Sequence, residues 1–354
     1  MNKEEIMDID ALCISEKETL LDAMKQLDKS AMQILFVSEG RKLLATLTDG
    51  DIRRFLLNGG KLTDSVNEVA VYQPHYVYLK DAANAKAVMI REQISSIPVV
   101  NDLLIIEDVI FLSDVHLKKK KNLNIPVVIM AGGKGKRLYP YTKVLPKPLI
   151  PIGDLPITEH IMKRFNEYGC TDFHYIVHHK KQMIKAYFAE EATEYQTSFY
   201  DEEKPLGTGG GLSLLKENIK ETFFLTNCDS LLFADYNSIL EFHKENKNLI
   251  TMVCVYKHFV VPYGVITMGE NGAISGMEEK PEQSFLANTG FYVVEPEVLP
   301  EIEDDTVITF VEIINKLQMK NQKIGVYPVS EASWLDMGQP DEMEKMLRKL
   351  GFEG

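Results

Sequence analysis

The chain is poor in the residues that cross-link, span membranes or grip polyanions. Its 354 residues include four cysteines, Cys13, Cys170, Cys228 and Cys254. None stands in a C-x-x-C pair, so the spacing offers neither a zinc knuckle nor a dithiol motif. They read as small buried apolar residues in a reducing compartment. No apolar run approaches the ~20 residues that a membrane helix needs. The start, Met1-Asn2-Lys3-Glu4-Glu5, lacks the basic-then-apolar order of a signal peptide. A cytoplasmic protein without a membrane partner is therefore expected. Positive charge is also short: Lys plus Arg number 39 against 52 Asp plus Glu, a formal balance of −13. Duplex nucleic acid needs clustered cations to replace its counterions, which argues against that partner. A nucleotide remains open, because one phosphate pocket needs only a few local cations and backbone N–H groups.

A hydrophobic fraction of 45% and a charged fraction of 26% suit a globular chain with a sizeable core. The length predicts two domains. A break falls at Lys118-Lys119-Lys120-Lys121-Asn122, a charge run that reads as a solvated linker over residues 119–124. Before it one pattern occurs twice, over about 1–60 and 62–118. In the first copy Leu20, Leu21, Met24 and Leu27 share a helix face. Apolar strands at 34–37 and 43–47 follow. Thr48-Asp49-Gly50-Asp51 then opens a helix that stops at Gly59-Gly60. In the second, a helix carries Ala83, Ala87, Val88 and Ile90, strands lie at 97–100 and 109–112, and Ser113-Asp114 opens a short helix. Taken alone, this is a small two-repeat α/β module.

The chemistry begins after the linker. The apolar run from Ile125 to Met130 reads as a buried strand. It turns through Ala131-Gly132-Gly133-Lys134-Gly135-Lys136-Arg137-Leu138. Glycine lets backbone approach a phosphate closely, and consecutive N–H groups can then face the anion. The loop is neither a Walker A sequence nor G-x-G-x-x-G. Pro146-Lys147-Pro148-Leu149 places a lysine between prolines, which limit the conformations of the segment.

These two segments resemble the sugar-1-phosphate nucleotidylyltransferases, whose signature is a G-G-x-G-x-R-L loop followed by P-K-P-L. Lys136 departs from the usual Thr or Ser and adds a cation. The resemblance runs on in order through Pro205-Leu206-Gly207-Thr208-Gly209-Gly210, Asn227-Cys228-Asp229, Pro262-Tyr263-Gly264-Val265, Glu278-Glu279-Lys280-Pro281, Asn288-Thr289-Gly290-Phe291-Tyr292 and Trp334-Leu335-Asp336-Met337-Gly338. Cys228 replaces the family's usual glycine. The implied fold is α/β, a Rossmann-like (GT-A-like) mixed sheet flanked by helices over 125–354. Ahead of it the two repeats resemble a CBS-domain pair.

The resemblance implies roles residue by residue. Arg137 and the loop at Ala131, Gly132, Gly133 and Gly135 would hold the triphosphate. Lys147 would meet the α-phosphate. Gly207, Thr208, Gly209 and Asn227 would complete the nucleotide site. Asp229 and Asp336 would bind Mg²⁺, a hard ion suited to carboxylates and phosphate oxygens. An aspartate at a strand end also reads as a helix cap. Glu279 would take a sugar hydroxyl, Lys280 would pair with the sugar phosphate, and Tyr263, Gly264, Asn288 and Thr289 would line that side. In the N-terminal repeats Thr48, Asp49, Arg53 and Asp114 would contact a regulatory nucleotide. Helix capping and homo-oligomerisation explain the same residues.

The nucleophile, a sugar phosphate, is already ionised, so no histidine needs to act as a base. Catalysis should rest on position and electrostatics, with no covalent adduct. Glu202-Glu203-Lys204-Pro205-Leu206-Gly207-Thr208 looks more like guanylyltransferases than thymidylyltransferases, which points to GTP. The CBS fusion resembles glucosamine-1-phosphate guanylyltransferases of bacterial legionaminic acid synthesis. Mannose or heptose 1-phosphate, and UTP or dTTP, are the alternatives. A non-catalytic sensing subunit would be expected to have lost Arg137, Lys147, Asp229 or Asp336, and all four are present.

Overall fold

The computed structural model describes residues 9–30, 34–92, 94, 96–111, 122–190, 195–329, 331–338 and 340–352. It forms two compact units, Met1–Lys120 and Lys121–Gly354.

The first unit repeats one topology. Strand β1 (Cys13–Ile14) leads to helix α1 (Leu20–Ser30), then β2 (Ile34–Glu39), β3 (Lys42–Thr48) and α2 (Asp49–Leu57). β1 and β2 are parallel, β2 and β3 antiparallel. The second copy runs β4 (Val77–Tyr78), α3 (Ala85–Glu92), β5 (Ser96–Val100) and β6 (Ile106–Phe111), with the same parallel and antiparallel pairings. Leu20, Ala23 and Leu27 of α1 are buried against Leu35, Val37 and Leu47. Phe36 and Leu43 from the first sheet meet Val100, Ile106 and Val109 from the second. The inward face of α3 differs from the expected one: Ala85 and Met89 are buried, with Val88 at the margin. The side chains of Ala83, Ala87 and Ile90 lie outside the description. β6 starts three residues before Val109, because Val100 pairs with Ile106 across a bulge. The helix expected at Ser113-Asp114 lies outside the described residues.

The second unit is built on a mixed seven-stranded sheet. β7 (Val127–Ala131) is followed by α4 (Tyr141–Val144), the short hairpin β8 (Pro151–Ile152) and β9 (Leu155–Pro156), and α5 (Ile157–Asn166). Next come β10 (Asp172–Val177), α6 (Lys181–Glu190), β11 (Gln196–Asp201), β12 (Phe223–Asn227), β13 (Ser230–Leu232) and α7 (Tyr236–Asn246). The chain closes with β14 (Ile250–Val260), the hairpin β15 (Val265–Met268) and β16 (Ile274–Glu278), β17 (Glu282–Val294), α8 (Phe310–Met319), β18 (Ile324–Val329), β19 (Trp334–Asp336) and α9 (Pro340–Lys349).

The strand order is β11-β10-β7-β12-β17-β14-β18. β11, β10, β7 and β12 are mutually parallel; β17 runs against both β12 and β14. Alternation sorts β7 between two cores. Val127, Ile129 and Ala131 face α5, α6 and α7, whereas Val128 faces α8. From β7 the chain passes first to β10 on one side and later to β12 on the other. That reversal leaves a crevice at the carboxyl ends of these strands, where α/β sheets place their ligands.

Phe165 of α5 anchors the larger core. It is 1% exposed and touches the rings of Phe173, Phe224, Tyr236 and Phe291. Replacing it with alanine removes those contacts and leaves a cavity. Phe165→Ala should destabilise this unit by about 3–5 kcal/mol. The single tryptophan, Trp334, sits in the unit, so its fluorescence during urea unfolding would read the lowered midpoint.

Candidate active site

A cavity of about 420 Å³ opens at the carboxyl ends of β7, β11 and β12. The loop after β7 supplies Gly132, Gly133, Gly135, Lys136 and Arg137. The turn after β11 supplies Glu202, Pro205, Gly207 and Thr208, and the end of β12 supplies Asn227, Cys228 and Asp229. Lys147 reaches in from the segment after α4, and Gly338 from the turn after β19. Nine of the expected site residues therefore share one wall: Gly132, Gly133, Gly135, Arg137, Lys147, Gly207, Thr208, Asn227 and Asp229. Gly135 has φ +62, and a Cβ there would sit 2.7 Å from Thr142 Cγ2. The turn needs glycine on both counts.

Lys147 and Asp229 form an ion pair within the cavity wall, with side chains only 13% and 9% exposed. Burial pulls the Lys147 amine below the ordinary lysine range, while nearby Asp336 favours its charged form. Asp336 reaches the same corner through backbone pairing. β13 and β19 run antiparallel with Ser230 opposite Asp336, and Met337 N–H donates to the Asp229 carbonyl at 2.8 Å. The Asp336 carboxylate accepts Gly338 N–H at 3.0 Å. Asp229 and Asp336 thus lie on neighbouring strand ends, and among the described residues no three or more His, Cys, Asp or Glu are grouped to hold a metal. Hard oxygens from two carboxylates suit Mg²⁺, which takes one or two carboxylates and completes its shell with phosphate oxygens and water.

Glu202 was not among the expected site residues. In sequence it belongs to Asp201-Glu202-Glu203-Lys204, which looks like a solvated charge run. In the structure Asp201 pairs with Lys181 and Lys185, and Lys204 with Asp305. Glu202 is 3% exposed and lines the cavity. Its carboxylate lies between Gly132 and Gly211, where a Cβ would come within 2.5 and 2.6 Å of its oxygens. Burial raises its pKa and the Leu206 N–H opposes that rise; Oε1, sealed from solvent on the Gly211 side, has no hydrogen-bond partner among the described residues.

Other expected residues take different positions. Ala131 turns into the core, 1% exposed. Gly209 donates its N–H to the Ile308 carbonyl at 3.0 Å and packs on Phe310 and Ile313, so it does not face the cavity. Thr289, expected to line the sugar pocket, instead faces the sheet: it is 2% exposed, and its hydroxyl donates to the Val253 carbonyl at 2.8 Å at the bulge between β14 and β17. The Asn288 amide is engaged by Tyr292 and Gly290. Tyr263, Gly264, Glu279 and Lys280 flank the exposed β15–β16 hairpin, and none lines the cavity. Glu279 does lie over Gly264, with Oε2 3.0 Å from where a Cβ would be.

In the N-terminal unit Thr48 caps α2. Its hydroxyl accepts the Asp51 N–H at 3.2 Å and its own N–H donates to the Asp51 carboxylate at 2.9 Å, a capping box. Burial pushes the Asp49 carboxyl above its ordinary range although Arg53 lies 3.8 Å away. Asp114 lies outside the described residues.

The ion pair predicts a non-additive stability cycle. Lys147→Met leaves Asp229 without its counter-charge and should cost about 3–5 kcal/mol. Lys147→Met combined with Asp229→Asn should cost less than the sum of the two, read in the same tryptophan-monitored urea titration.

The family model described as nucleotidyl transferase matches residues 126–351, and that described as CBS domain matches residues 4–58. A mannose-1-phosphate guanylyltransferase of Mycobacterium tuberculosis is 29% identical over 223 residues, covering 62% of this chain and 62% of its own length. The chain therefore spans less than two thirds of that relative. A UTP–glucose-1-phosphate uridylyltransferase of Synechocystis sp. is 31% identical over 194 residues, 49% of this chain and 50% of its own. HddC from Yersinia pseudotuberculosis, solved in complex with GMP-PN, shares the fold with a TM-score of 0.51 at 22% identity. That match covers 64% of this chain and 99% of that one. The chain belongs to the nucleotidyl transferase family, with a CBS domain ahead of its nucleotidyl transferase segment.

Proposed function

We propose that residues 125–354 transfer GMP from GTP to a sugar 1-phosphate and release pyrophosphate. The observation that carries the choice of base is the buried carboxylate of Glu202 in the cavity lining, with Oε2 beside Gly132 of the glycine loop. A carboxylate only accepts hydrogen bonds. Guanine offers it two adjacent donors, N1–H and the N2 amino group. Uracil and thymine offer one N–H between two carbonyls, which the carboxylate would repel. Adenine offers one donor beside an acceptor. The guanylyltransferase relative supports the same base, and the uridylyltransferase relative makes UTP the necessary control.

The reaction follows from the groups in the wall. Arg137 and the N–H groups of Gly132, Gly133 and Gly135 hold the triphosphate. The sugar phosphate oxygen attacks the α-phosphorus, and the bond to the pyrophosphate oxygen breaks in line. No proton leaves the nucleophile. Lys147 beside the α-phosphate offsets the charge gathering there, a positional and electrostatic form of catalysis. Asp229 and Asp336 would hold Mg²⁺, which when bound would neutralise and orient the triphosphate. Glu279 and Lys280 take the sugar hydroxyl and phosphate from the hairpin side, with Tyr263, Gly264 and Asn288 beside them.

For the sugar we propose glucosamine 1-phosphate in legionaminic acid synthesis, on the CBS fusion. Mannose and heptose 1-phosphates are the competitors. The shared topology of the two N-terminal repeats supports a full CBS pair over 1–118, open to a regulatory nucleotide or to homo-oligomer formation.

Pyrophosphate release across GTP, UTP, dTTP and ATP, each with the three sugar phosphates, tests the proposal. GTP should lead, and a lead for UTP or dTTP would falsify the guanylyl assignment. Glu202→Gln should cut the preference for GTP over UTP by about 10–100-fold. Asp229→Asn should lower kcat by about 100-fold or more. Activity needs the Lys147 ammonium, whose pKa burial lowers. The rate should therefore fall as pH rises, starting below the ordinary lysine value of about 10.4, in a pH–rate profile at saturating substrates.

A further inference from the structure

Lys180 lies outside the cavity lining, yet its conformation and contacts set it apart. It has φ +53, a left-handed backbone that costs a non-glycine residue free energy. Its ammonium donates to three successive carbonyls: Thr142 at 3.1 Å, Lys143 at 2.7 Å and Val144 at 2.8 Å. These are carbonyls of α4 that a single helical turn leaves without amide partners. Three N–H donors meet three acceptors one for one.

α4 cannot hold its own shape, since one turn is too short to be stable alone. It is nevertheless the element from which Leu145 and Pro146 lead to Lys147. A second tie is Thr142, whose hydroxyl donates to the Gly135 carbonyl at 3.0 Å. The residues before Lys180 hold the remaining walls. His179 N–H donates to the Gly132 carbonyl at 3.4 Å, and His178 Nδ1 lies 3.1 Å from the Glu202 carbonyl. The turn after β10 therefore touches the glycine loop, the Glu202 strand end and the lysine-bearing segment together.

We propose that Lys180 is a positioning residue for nucleotidyl transfer: its ammonium clamps α4 so that Lys147 is held at the α-phosphate. The inference rests on the reaction proposed above. Because its donors are engaged by carbonyls, Lys180 acts through Lys147 and not on the triphosphate directly.

Lys180→Gly separates the clamp from folding, since glycine accepts the left-handed backbone without strain. In the full chain this variant should keep its unfolding midpoint close to wild type, because relief of the left-handed backbone offsets part of the three lost hydrogen bonds. It should lose about 100-fold in kcat, the effect of a misplacement near 1 Å, with KM for GTP within about threefold. Added ethylamine should recover part of kcat in Lys180→Gly and none in Lys180→Met, where the side chain fills the space. Wild-type kcat in Lys180→Gly would overturn the clamp. So would a rise in KM alone, which marks direct triphosphate binding, or a lost kcat that falls together with stability and resists the amine. A second readout needs no turnover: trinitrobenzenesulfonate should label Lys147 about tenfold faster in Lys180→Gly, as expected for a released segment. Equal labelling rates would overturn the clamp even if wild type transfers nothing, an outcome that would refute the proposed reaction instead.

Discussion

A cation and a carboxylate 82 residues apart in sequence meet in the wall of the cavity, Lys147 against Asp229. Two charges so far removed from water are tolerable only together. Their pairing therefore ties the segment after α4 to the end of β12. Asp336 joins them through the β13–β19 ladder, so a residue more than a hundred positions from Asp229 becomes its neighbour by backbone hydrogen bonds. The sheet makes this possible. β7 sits between β10 and β12, and the chain emerges from all three on one edge.

The same edge explains why short turns carry so much of the site. The glycine loop is held from behind by the turn at 178–180 and from the front by Thr142. Glu202 fits between Gly132 and Gly211 because neither has a side chain. Each wall thus sets the position of another. A cavity assembled in this way presents charged groups with little freedom to relax, and electrostatic catalysis works best under that condition.

The side proposed for the sugar has a different character. Tyr263, Glu279 and Lys280 stand at an exposed hairpin, away from the preorganised wall. Thr289, expected among them, serves the sheet instead: the bulge at Val253 leaves a carbonyl that its hydroxyl satisfies. A motif residue can be fixed by a local backbone need as firmly as by a ligand.

Much was legible in the sequence because it depends on local order. The strand at 127–131, the glycine turn after it and the alternation that sorts side chains between two cores follow from periodicity and backbone preference. So does the capped start of α2, although Thr48 with Asp51 makes the cap and Asp49 does not. The landmarks from Gly132 to Asp336 identified the family and the nature of its chemistry. Other features depend on long-range pairing and burial. The sequence could not say that Glu202 is buried while its neighbours Asp201 and Lys204 are neutralised by distant partners. Nor could it say that Lys180 spends its charge on carbonyls some 36–38 residues away. Local chemistry lies in the order of residues, whereas desolvation and charge partnership depend on which strands lie side by side, and the tertiary structure alone decided that.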